Sequence, residues 1–294
     1  SNACNHKCNF CNFSHTHNLI TLDKQKVIDT VREFMASGVK AINWTGGGEP
    51  LTNKHFCDIA RFTVRHGIQQ GIFTNGSLMD DGIMKTLVTT QQWIRFSIDA
   101  GTRETYLKIK GVDDFDKVIG RVNEMVAWRN EEGLAGEIGI GFVITPDNYK
   151  EIETFSELIK ETGVDYGQYK PSVNNCSLNN LEWWTKEVKP RLEKVFNNNH
   201  KAVINLYKFN DIVESNLDLE YDTCYGHHFC PCIGADGEVY LCNQFRGDIR
   251  YSFGSIYKNT FRQIWNSNRR KQVIKNLDIT KCPNLCKNNE INKI

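Results

Sequence analysis

The stretch CNHKCNFC, residues 4–11, places three cysteines within eight positions, at steps of four and then three residues. Structural zinc sites and electron-transfer clusters usually fill their coordination with four protein ligands. Three thiolates on one short loop can instead hold a [4Fe-4S] cluster by three corners and leave the fourth iron open to a small molecule. We therefore interpret this stretch, called the cysteine loop below, as a reactive metal centre.

Cysteine usage along the rest of the chain also favours metal binding. The 294 residues contain 11 cysteines, an odd number that cannot all pair. Disulfide frameworks are typical of small secreted chains, whereas this chain is large and shows no secretory signal. Outside the cysteine loop, and apart from Cys57 and Cys176, the cysteines concentrate near the C-terminal end. That group comprises Cys224, Cys230, Cys232, Cys242, Cys282 and Cys286.

Charge and hydropathy limit the partners of the chain. It has 36 basic and 35 acidic residues, a formal net charge of +1. Proteins that bind nucleic acid through its phosphates usually carry a basic excess, so we expect no nucleic-acid partner. No apolar run approaches the roughly 20 residues needed to cross a bilayer, so we expect no membrane association and a cytoplasmic location.

Short apolar segments alternate with amphipathic ones between residues 40 and 173. This alternation is typical of parallel strands joined by helices. Five strands are predicted here, and a sixth, truncated strand is expected just before Cys4. We predict an α/β fold, a partial (β/α)6 TIM-like barrel with a small α+β module. The expected bounds are 1–177 for the barrel, 178–222 for a linker region whose long helix leads away from it, and 223–294 for the module.

Four residues of the cysteine loop match a known signature. Cys4, Cys8, Phe10 and Cys11 fit CxxxCx(aromatic)C, and the chain thereby resembles the radical S-adenosylmethionine (SAM) superfamily. The resemblance implies a [4Fe-4S] cluster on the three cysteines, SAM bound to its open iron, and Phe10 near the adenine. Reductive cleavage of SAM would make a 5'-deoxyadenosyl radical, which abstracts a hydrogen atom from the substrate. A reducing partner such as flavodoxin or ferredoxin would supply the electron.

The segment TGGGEPL, residues 45–51, follows the first predicted strand after the cysteine loop. In it, Gly47, Gly48 and Glu49 fit the GGE motif of the same superfamily, which implies contacts with the methionine amino group of SAM. Glycine suits this position because it lets a ligand approach the backbone closely.

Polar residues at two later strand ends extend the candidate site. Ligands of parallel barrels bind at the carboxyl ends of the strands. The resemblance implies that such residues contact the ribose and carboxylate of SAM, namely Thr74, Asn75, Ser97 and Asp99. On the last predicted strand, polar side chains alternate and either point inward over the substrate or form an outward solvated face. They are Tyr166, Gln168 and Lys170.

The C-terminal module has a family likeness of its own. Cys224, Gly237 and Cys242 fit the pattern C-x12-G-x4-C, which resembles the SPASM and shorter twitch modules that carry auxiliary clusters. The further paired cysteines of a full SPASM module are absent, so the resemblance implies one auxiliary [4Fe-4S] cluster. Its expected ligands are Cys224, Cys242, Cys282 and Cys286. A zinc site is the alternative, because four cysteines alone do not identify the metal.

Two further cysteines lie within that module. Cys230 competes with Cys282 as a cluster ligand, and it is also a candidate hydrogen-atom donor to a substrate radical. Cys232 is spare in this interpretation. Asp236 and Gly237 predict a hairpin turn between two short strands that follow these cysteines.

Three functions remain open from the sequence. The first is a radical SAM oxidoreductase that oxidises or epimerises a carbohydrate or aminocyclitol, with the auxiliary cluster accepting an electron. The second is a maturase that modifies a ribosomally made peptide. The third is a zinc-stabilised barrel that binds a partner without catalysis. Neutral charge and the lack of a visible peptide-recognition domain favour the first.

Overall fold

A computed structural model describes residues 1–172, 180–204, 206–213, 219, 221–283 and 285–293. Cys176 and the expected boundary after residue 177 lie outside these residues. Within them, six parallel strands form one sheet and three short antiparallel strands form another. The parallel strands are β1 Ala41–Trp44, β2 Gln69–Thr74, β3 Trp93–Ser97, β4 Glu137–Ile144, β5 Tyr166–Pro171 and β6 Ala202–Ile204.

Helices precede β1, connect the strands and follow β6. Side-chain caps begin several of them: Asp23 accepts from the Lys26 amide, and Thr102 accepts from the Thr105 amide. The helices are α1 Lys24–Ala36, α2 Phe56–Arg65, α3 Asp81–Thr90, α4 Arg103–Lys110, α5 Phe115–Glu131, α6 Ile152–Glu161, α7 Leu181–Trp183, α8 Lys189–Asn198 and α9 Leu206–Val213. None of the described helices is long and apolar enough to cross a membrane.

The strands lie in the sheet in chain order, each parallel to the one before it. On β3, Ile94 and Phe96 are fully buried, whereas the alternate residues are half-buried. Arg95 lies on the alternate face and donates to Gln168 of β5, on the far side of β4. The structure therefore confirms the predicted partial α/β barrel and places Gln168 on its inner face.

The sheet contains a strand, β6, that the sequence did not predict. It pairs with β5, with Gly167 opposite Ala202. The truncated strand expected just before Cys4 stays a prediction, and residues 1–3 form no strand. The region 178–222 was expected to hold only a linker helix. Its strand was missed because three residues are too few to show an alternating pattern.

The helical segment before β6 packs on the barrel and does not lead away from it. Trp184 is only 1% exposed and belongs to the barrel core together with Val188 and Leu192. A π-helical turn, Trp184–Val188, runs directly into α8, so Pro190 lies inside a continuous helical segment. Proline has no amide hydrogen to donate, and helices that contain one are usually irregular nearby, as this one is. The segment is therefore part of the barrel's outer layer.

The C-terminal module contains β7 Cys232–Ile233, β8 Glu238–Tyr240, β9 Ser252–Ser255, α10 Phe261–Trp265, α11 Asn268–Lys275 and α12 Asn289–Asn292. The predicted hairpin turn joins β7 and β8. Gly237 has a φ of +80°, and the Asp236 carboxylate accepts from the Glu238 amide at 3.1 Å. The module contacts the barrel through Phe261, whose ring meets the Phe34 ring edge-on at 4.8 Å.

Replacement of Trp184 by alanine tests the packing of the segment before β6. Loss of a fully buried tryptophan should lower the free energy of unfolding by about 3–5 kcal/mol. Leu181→Ala, at a side chain that is 40% exposed, is the control and should cost well under half of that. Anaerobic urea unfolding measures both variants. Equal losses would mean that the segment does not belong to the barrel core.

Candidate active site

The cysteine loop is held by the C-terminal end of α4. The Lys7 amide donates to the Lys110 carbonyl at 2.9 Å, and the Asn9 amide donates to the Ile109 carbonyl at 3.0 Å. The last carbonyls of a helix have no intrahelical partner, so the loop satisfies groups that would otherwise need water. Gly111 ends α4 in the left-handed conformation, with a φ of +69°.

The turn after β2 holds the same loop from another side. Asn75 donates from Nδ2 to Oδ1 of Asn5 at 2.9 Å, and its own Oδ1 accepts from the Ser77 amide. His6 Nε2 lies 3.1 Å from the Ser77 hydroxyl. Asn75, predicted to contact SAM, therefore also positions the cysteine loop.

A buried ion pair joins the loop to the barrel. Lys110, 2% exposed, bonds the carboxylate of Asp99, whose other oxygen accepts from the Val143 amide at 2.7 Å. Burial alone would lower the pKa of Lys110, but the charges of Asp99 and Cys8 outweigh it and raise the pKa. The Lys110 ammonium also lies 5.5 Å from the centre of the Phe10 ring.

Asp99 is therefore committed to protein partners. It has a φ of +60°, and Asn148 Nδ2 donates to its carbonyl at 2.8 Å. The sequence predicted that Asp99 contacts SAM, and in this structure its carboxylate fixes Lys110 beside the cysteine loop. Lys110 itself was missed, because a lysine in the amphipathic stretch RETYLKIK carries no signal of burial.

The glycines of the GGE motif face the chain that precedes Cys4. A Cβ on Gly47 would lie 2.3 Å from Asn2 Oδ1, and one on Gly48 would lie 2.0 Å from the Ala3 carbonyl oxygen. The Glu49 amide donates to that carbonyl at 2.8 Å. The sequence argument attributed these glycines to the approach of a ligand, whereas this structure shows the approach of residues 2 and 3.

The Glu49 side chain is buried, and both of its carboxylate oxygens accept hydrogen bonds. Its carboxylate accepts from the Thr74 hydroxyl at 2.7 Å, the Asn75 amide at 2.8 Å and the Leu51 amide at 3.2 Å. Burial raises the pKa of Glu49, and these hydrogen bonds offset only part of that effect. The carboxylate therefore ties the end of β1 to the end of β2.

A cavity of about 490 Å³ opens at the carboxyl ends of the strands. Every predicted residue of the barrel site lines it, and so do two cysteines of the C-terminal module. The barrel residues are Cys4, Cys8, Phe10, Cys11, Gly47, Gly48, Glu49, Thr74, Asn75, Ser97 and Asp99, and the module contributes Cys242 and Cys286.

Four cysteines of the C-terminal module lie close to one another, and we call Cys224, Cys242, Cys282 and Cys286 the rear thiols. Burial, and then the charges of the other three, raise the pKa of Cys282 to about 12. Asn292 Nδ2 lies 3.5 Å from the Cys224 sulfur, and the Asn288 amide lies 3.5 Å from the Cys286 sulfur. Such N–H donors stabilise thiolate charge.

Cys230 and Cys232 are placed differently. Neither is among the described residues that line the cavity, and the Cys230 amide donates to the Gly226 carbonyl at 3.2 Å. Cys232 lies 3.9 Å from Asn243 Oδ1, and burial raises the pKa of its thiol despite the nearby charge of Arg246. The predicted role of Cys230 as ligand or hydrogen donor remains a prediction, and this position does not bring it to the cavity.

Both cysteine groups are all-thiolate donor sets. Thiolate is the ligand that [4Fe-4S] clusters use, and each cysteine of such a cluster binds a different iron. The residues therefore fit a cluster held by three corners on the cysteine loop and a cluster held by four corners on the rear thiols.

Comparison with protein families agrees with this geometry. Residues 1–161 match the model of the radical SAM superfamily, and residues 224–288 match that of SPASM, an iron-sulfur cluster-binding domain. The chain belongs to the radical SAM superfamily. It is therefore an enzyme that uses SAM and a [4Fe-4S] cluster, and its SPASM domain carries auxiliary iron–sulfur chemistry.

Two curated relatives differ in how much of their length the chain spans. It is 24% identical over 295 residues to the tungsten-containing aldehyde ferredoxin oxidoreductase cofactor-modifying protein of Pyrococcus furiosus, covering 92% of this chain and 80% of that protein. It is 30% identical over 168 residues to a probable GTP 3',8-cyclase of Saccharolobus islandicus, covering 56% of this chain. The chain spans about half, 52%, of that cyclase.

Solved structures share the fold over nearly the whole chain. Native anSMEcpe with bound AdoMet and Kp18Cys peptide aligns with a TM-score of 0.67 at 20% identity, over 94% of this chain and 80% of that one. SuiB of Streptococcus suis bound to precursor peptide SuiA aligns with a TM-score of 0.68 at 16% identity, over 94% and 65%. At these identities the likeness establishes the fold alone.

Replacement of Lys110 by methionine tests the ion pair. Breaking one partner of a buried pair should lower the free energy of unfolding by about 3–5 kcal/mol, because the Asp99 carboxylate is left without its counter-charge. Lys108→Met is the matched control on the same helix, since Lys108 is 60% exposed and pairs with Asp147 at the surface. Its cost should stay below about 1 kcal/mol. Similar losses in both variants would contradict the role of the pair.

Iron content tests the assignment of the two cysteine groups. One cluster in each group predicts about eight iron atoms per reconstituted chain. The variant with Cys4, Cys8 and Cys11 all replaced by alanine should keep about four and form no 5'-deoxyadenosine with dithionite. Cys57→Ala, outside both groups, should change neither result.

Other iron counts for the triple cysteine variant would lead to different conclusions. Loss of all iron in the triple variant would show that the rear thiols hold no cluster. About eight iron atoms remaining, out of about twelve in the unaltered protein, would reveal a second auxiliary cluster. Continued SAM cleavage by that variant would contradict the assignment of the cysteine loop.

Proposed function

We propose that this enzyme abstracts a hydrogen atom from a peptide substrate held between the cysteine loop and the rear thiols. The observation that carries the proposal is the shared cavity, because Cys4, Cys8 and Cys11 line one side while Cys242 and Cys286 line another. When bound, SAM and the two clusters supply a 5'-deoxyadenosyl radical and a one-electron acceptor at these places. A substrate in the cavity is then within reach of both.

Several residues hold the parts of the site in fixed positions relative to one another. Lys110 and the carbonyls at the end of α4 fix the cysteine loop, while Glu49 fixes the strand ends beside it. Such preorganisation matters because small displacements of reacting atoms cost large factors in rate. An electron passed from the substrate toward the rear thiols would make the overall reaction an oxidation, the oxidoreductase class expected from the sequence.

The polar lining of the cavity favours a peptide over an aminocyclitol. Both buried carboxylates that line it, Glu49 and Asp99, already bind protein donors. Lys170, Lys208 and Lys287 also line it and would repel the ammonium groups of an aminocyclitol. The peptides bound to anSMEcpe and SuiB support the proposal by analogy of fold. A neutral or acidic carbohydrate remains the second candidate.

The neutral net charge of the chain does not weigh against a peptide. Whole-chain charge reports solubility and long-range steering, whereas the substrate meets only the local lining. The proposal includes a protein reductant such as flavodoxin or ferredoxin, because each cleavage of SAM consumes one electron.

Deuterium transfer tests the substrate class directly. Cells of the host organism grown in deuterated medium are lysed, and the extract is divided into a peptide fraction and a small-molecule fraction. Each fraction is incubated with reconstituted enzyme, unlabelled SAM and dithionite, and 5'-deoxyadenosine is analysed by mass spectrometry. Deuterium should come from the peptide fraction and disappear after treatment of that fraction with a nonspecific protease.

The triple cysteine-to-alanine variant is the control for uncatalysed exchange. Transfer from the small-molecule fraction alone would contradict the peptide proposal and favour the carbohydrate. Protease-resistant transfer from the larger fraction would point to a polysaccharide.

A further inference from the structure

The cationic side chains near the cavity divide into two groups by their partners. Lys110 lies beside Asp99 and Cys8, and the charges of Lys208 and Lys287 act on the Cys286 thiol. These three lysines therefore balance a buried carboxylate and the sulfurs that would hold the clusters. Burial is the largest cause of the lowered pKa values of Lys170 and Arg95, and no cysteine is among the main causes.

Lys170 and Arg95 both lie near one aromatic ring. The Arg95 guanidinium is 4.2 Å and the Lys170 ammonium 5.7 Å from the centre of the Phe73 ring. Arg95 is committed to Gln168, whereas Lys170 has no hydrogen-bond or ion-pair partner among the described residues. Lys170 and Phe73 line the cavity directly.

The charge around Lys170 is not balanced by the protein. Asp99 is the acidic group that acts on both cations, yet its oxygens already bind Lys110 and the Val143 amide. A partly buried ammonium without a counter-ion is costly, and a bound anion removes that cost. The wall of the cavity formed by β5 is therefore suited to an anionic group.

We propose that Lys170 binds a carboxylate of the substrate and so selects peptides that present an acidic side chain beside the modified residue. That the substrate is a peptide rests on the proposed function. That it presents a carboxylate rests on the side chains that line the cavity. SAM also carries a carboxylate. The residues predicted to contact SAM lie at the ends of β1, β2 and β3, whereas Lys170 lies on β5.

The reactivity of Lys170 offers a direct measurement. Burial, and then the charges of Arg95 and Lys208, lower the pKa of Lys170 to about 7; Asp99 raises it and Lys287 lowers it by smaller amounts. Near neutral pH a large fraction of this amine is unprotonated and nucleophilic. A bound carboxylate stabilises the protonated form, and a rise of one pKa unit reduces the reactive fraction about fivefold at pH 7.

The experiment is acetylation of the reconstituted holoenzyme at pH 7 with an N-hydroxysuccinimide ester of acetate, under saturating SAM. Glutarate is the probe, and glutaramide at equal ionic strength is its uncharged control. Peptide mass spectrometry follows the acetylation rates of Lys170 and of the exposed Lys40. Glutarate should slow acetylation of Lys170 about fivefold relative to glutaramide and leave Lys40 unchanged.

Two outcomes would overturn the subsite. Equal rates with glutarate and glutaramide would show that Lys170 binds no carboxylate. Protection by glutarate only when SAM is omitted would assign the contact to the carboxylate of SAM.

The acetylation measurement needs neither turnover nor a peptide substrate. A negative result would therefore count against the carboxylate subsite alone and not against the proposed function. Glutarate protection without deuterium transfer from peptides would leave an acidic substrate of another class. Transfer from peptides without protection would remove only the role of Lys170.

Discussion

The buried pair of Lys110 and Asp99 is the contact on which the barrel half of the site depends. The backbone of Lys110 holds the cysteine loop, while its ammonium holds the turn after β3. Val143 of β4 completes the coordination of the same carboxylate. A buried ion pair is seldom worth more than an apolar contact, because desolvation offsets the attraction. Its value here lies in fixing three elements to one geometry that no apolar pair would specify.

Local patterns in the sequence predicted much of this arrangement. The cysteine spacing and the GGE segment are continuous in the chain, and the barrel follows from alternating apolar segments. The residues that support the site were harder to predict, because the burial of Lys110 depends on tertiary contacts, such as those with Asp99 and Phe10, that no local pattern shows. Strand β6 is likewise defined by its pairing with β5 and not by its own three residues.

The glycines of the GGE motif have a second explanation besides the predicted ligand contact. Glycine at positions 47 and 48 was explained by close approach of a ligand, yet the atoms that exclude a Cβ belong to Asn2 and Ala3. Both explanations require a backbone that carries no side chain at these positions, so the sequence alone cannot distinguish them. The structure connects the motif mechanically to the cysteine loop, since the segment it contacts leads directly into Cys4.

The sequence carried less information about the substrate than about the fold or the site. Net charge sums over the whole chain, whereas a substrate meets only the side chains that line the cavity. In that cavity the acids are paired and the lysines outnumber them, although the chain as a whole is nearly neutral. The sign of the local charge is set by which carboxylates the fold has already used. The carboxylates of Glu49 and Asp99 already bind protein groups at the strand ends. The contacts that build the site therefore also leave the cavity with a positive charge.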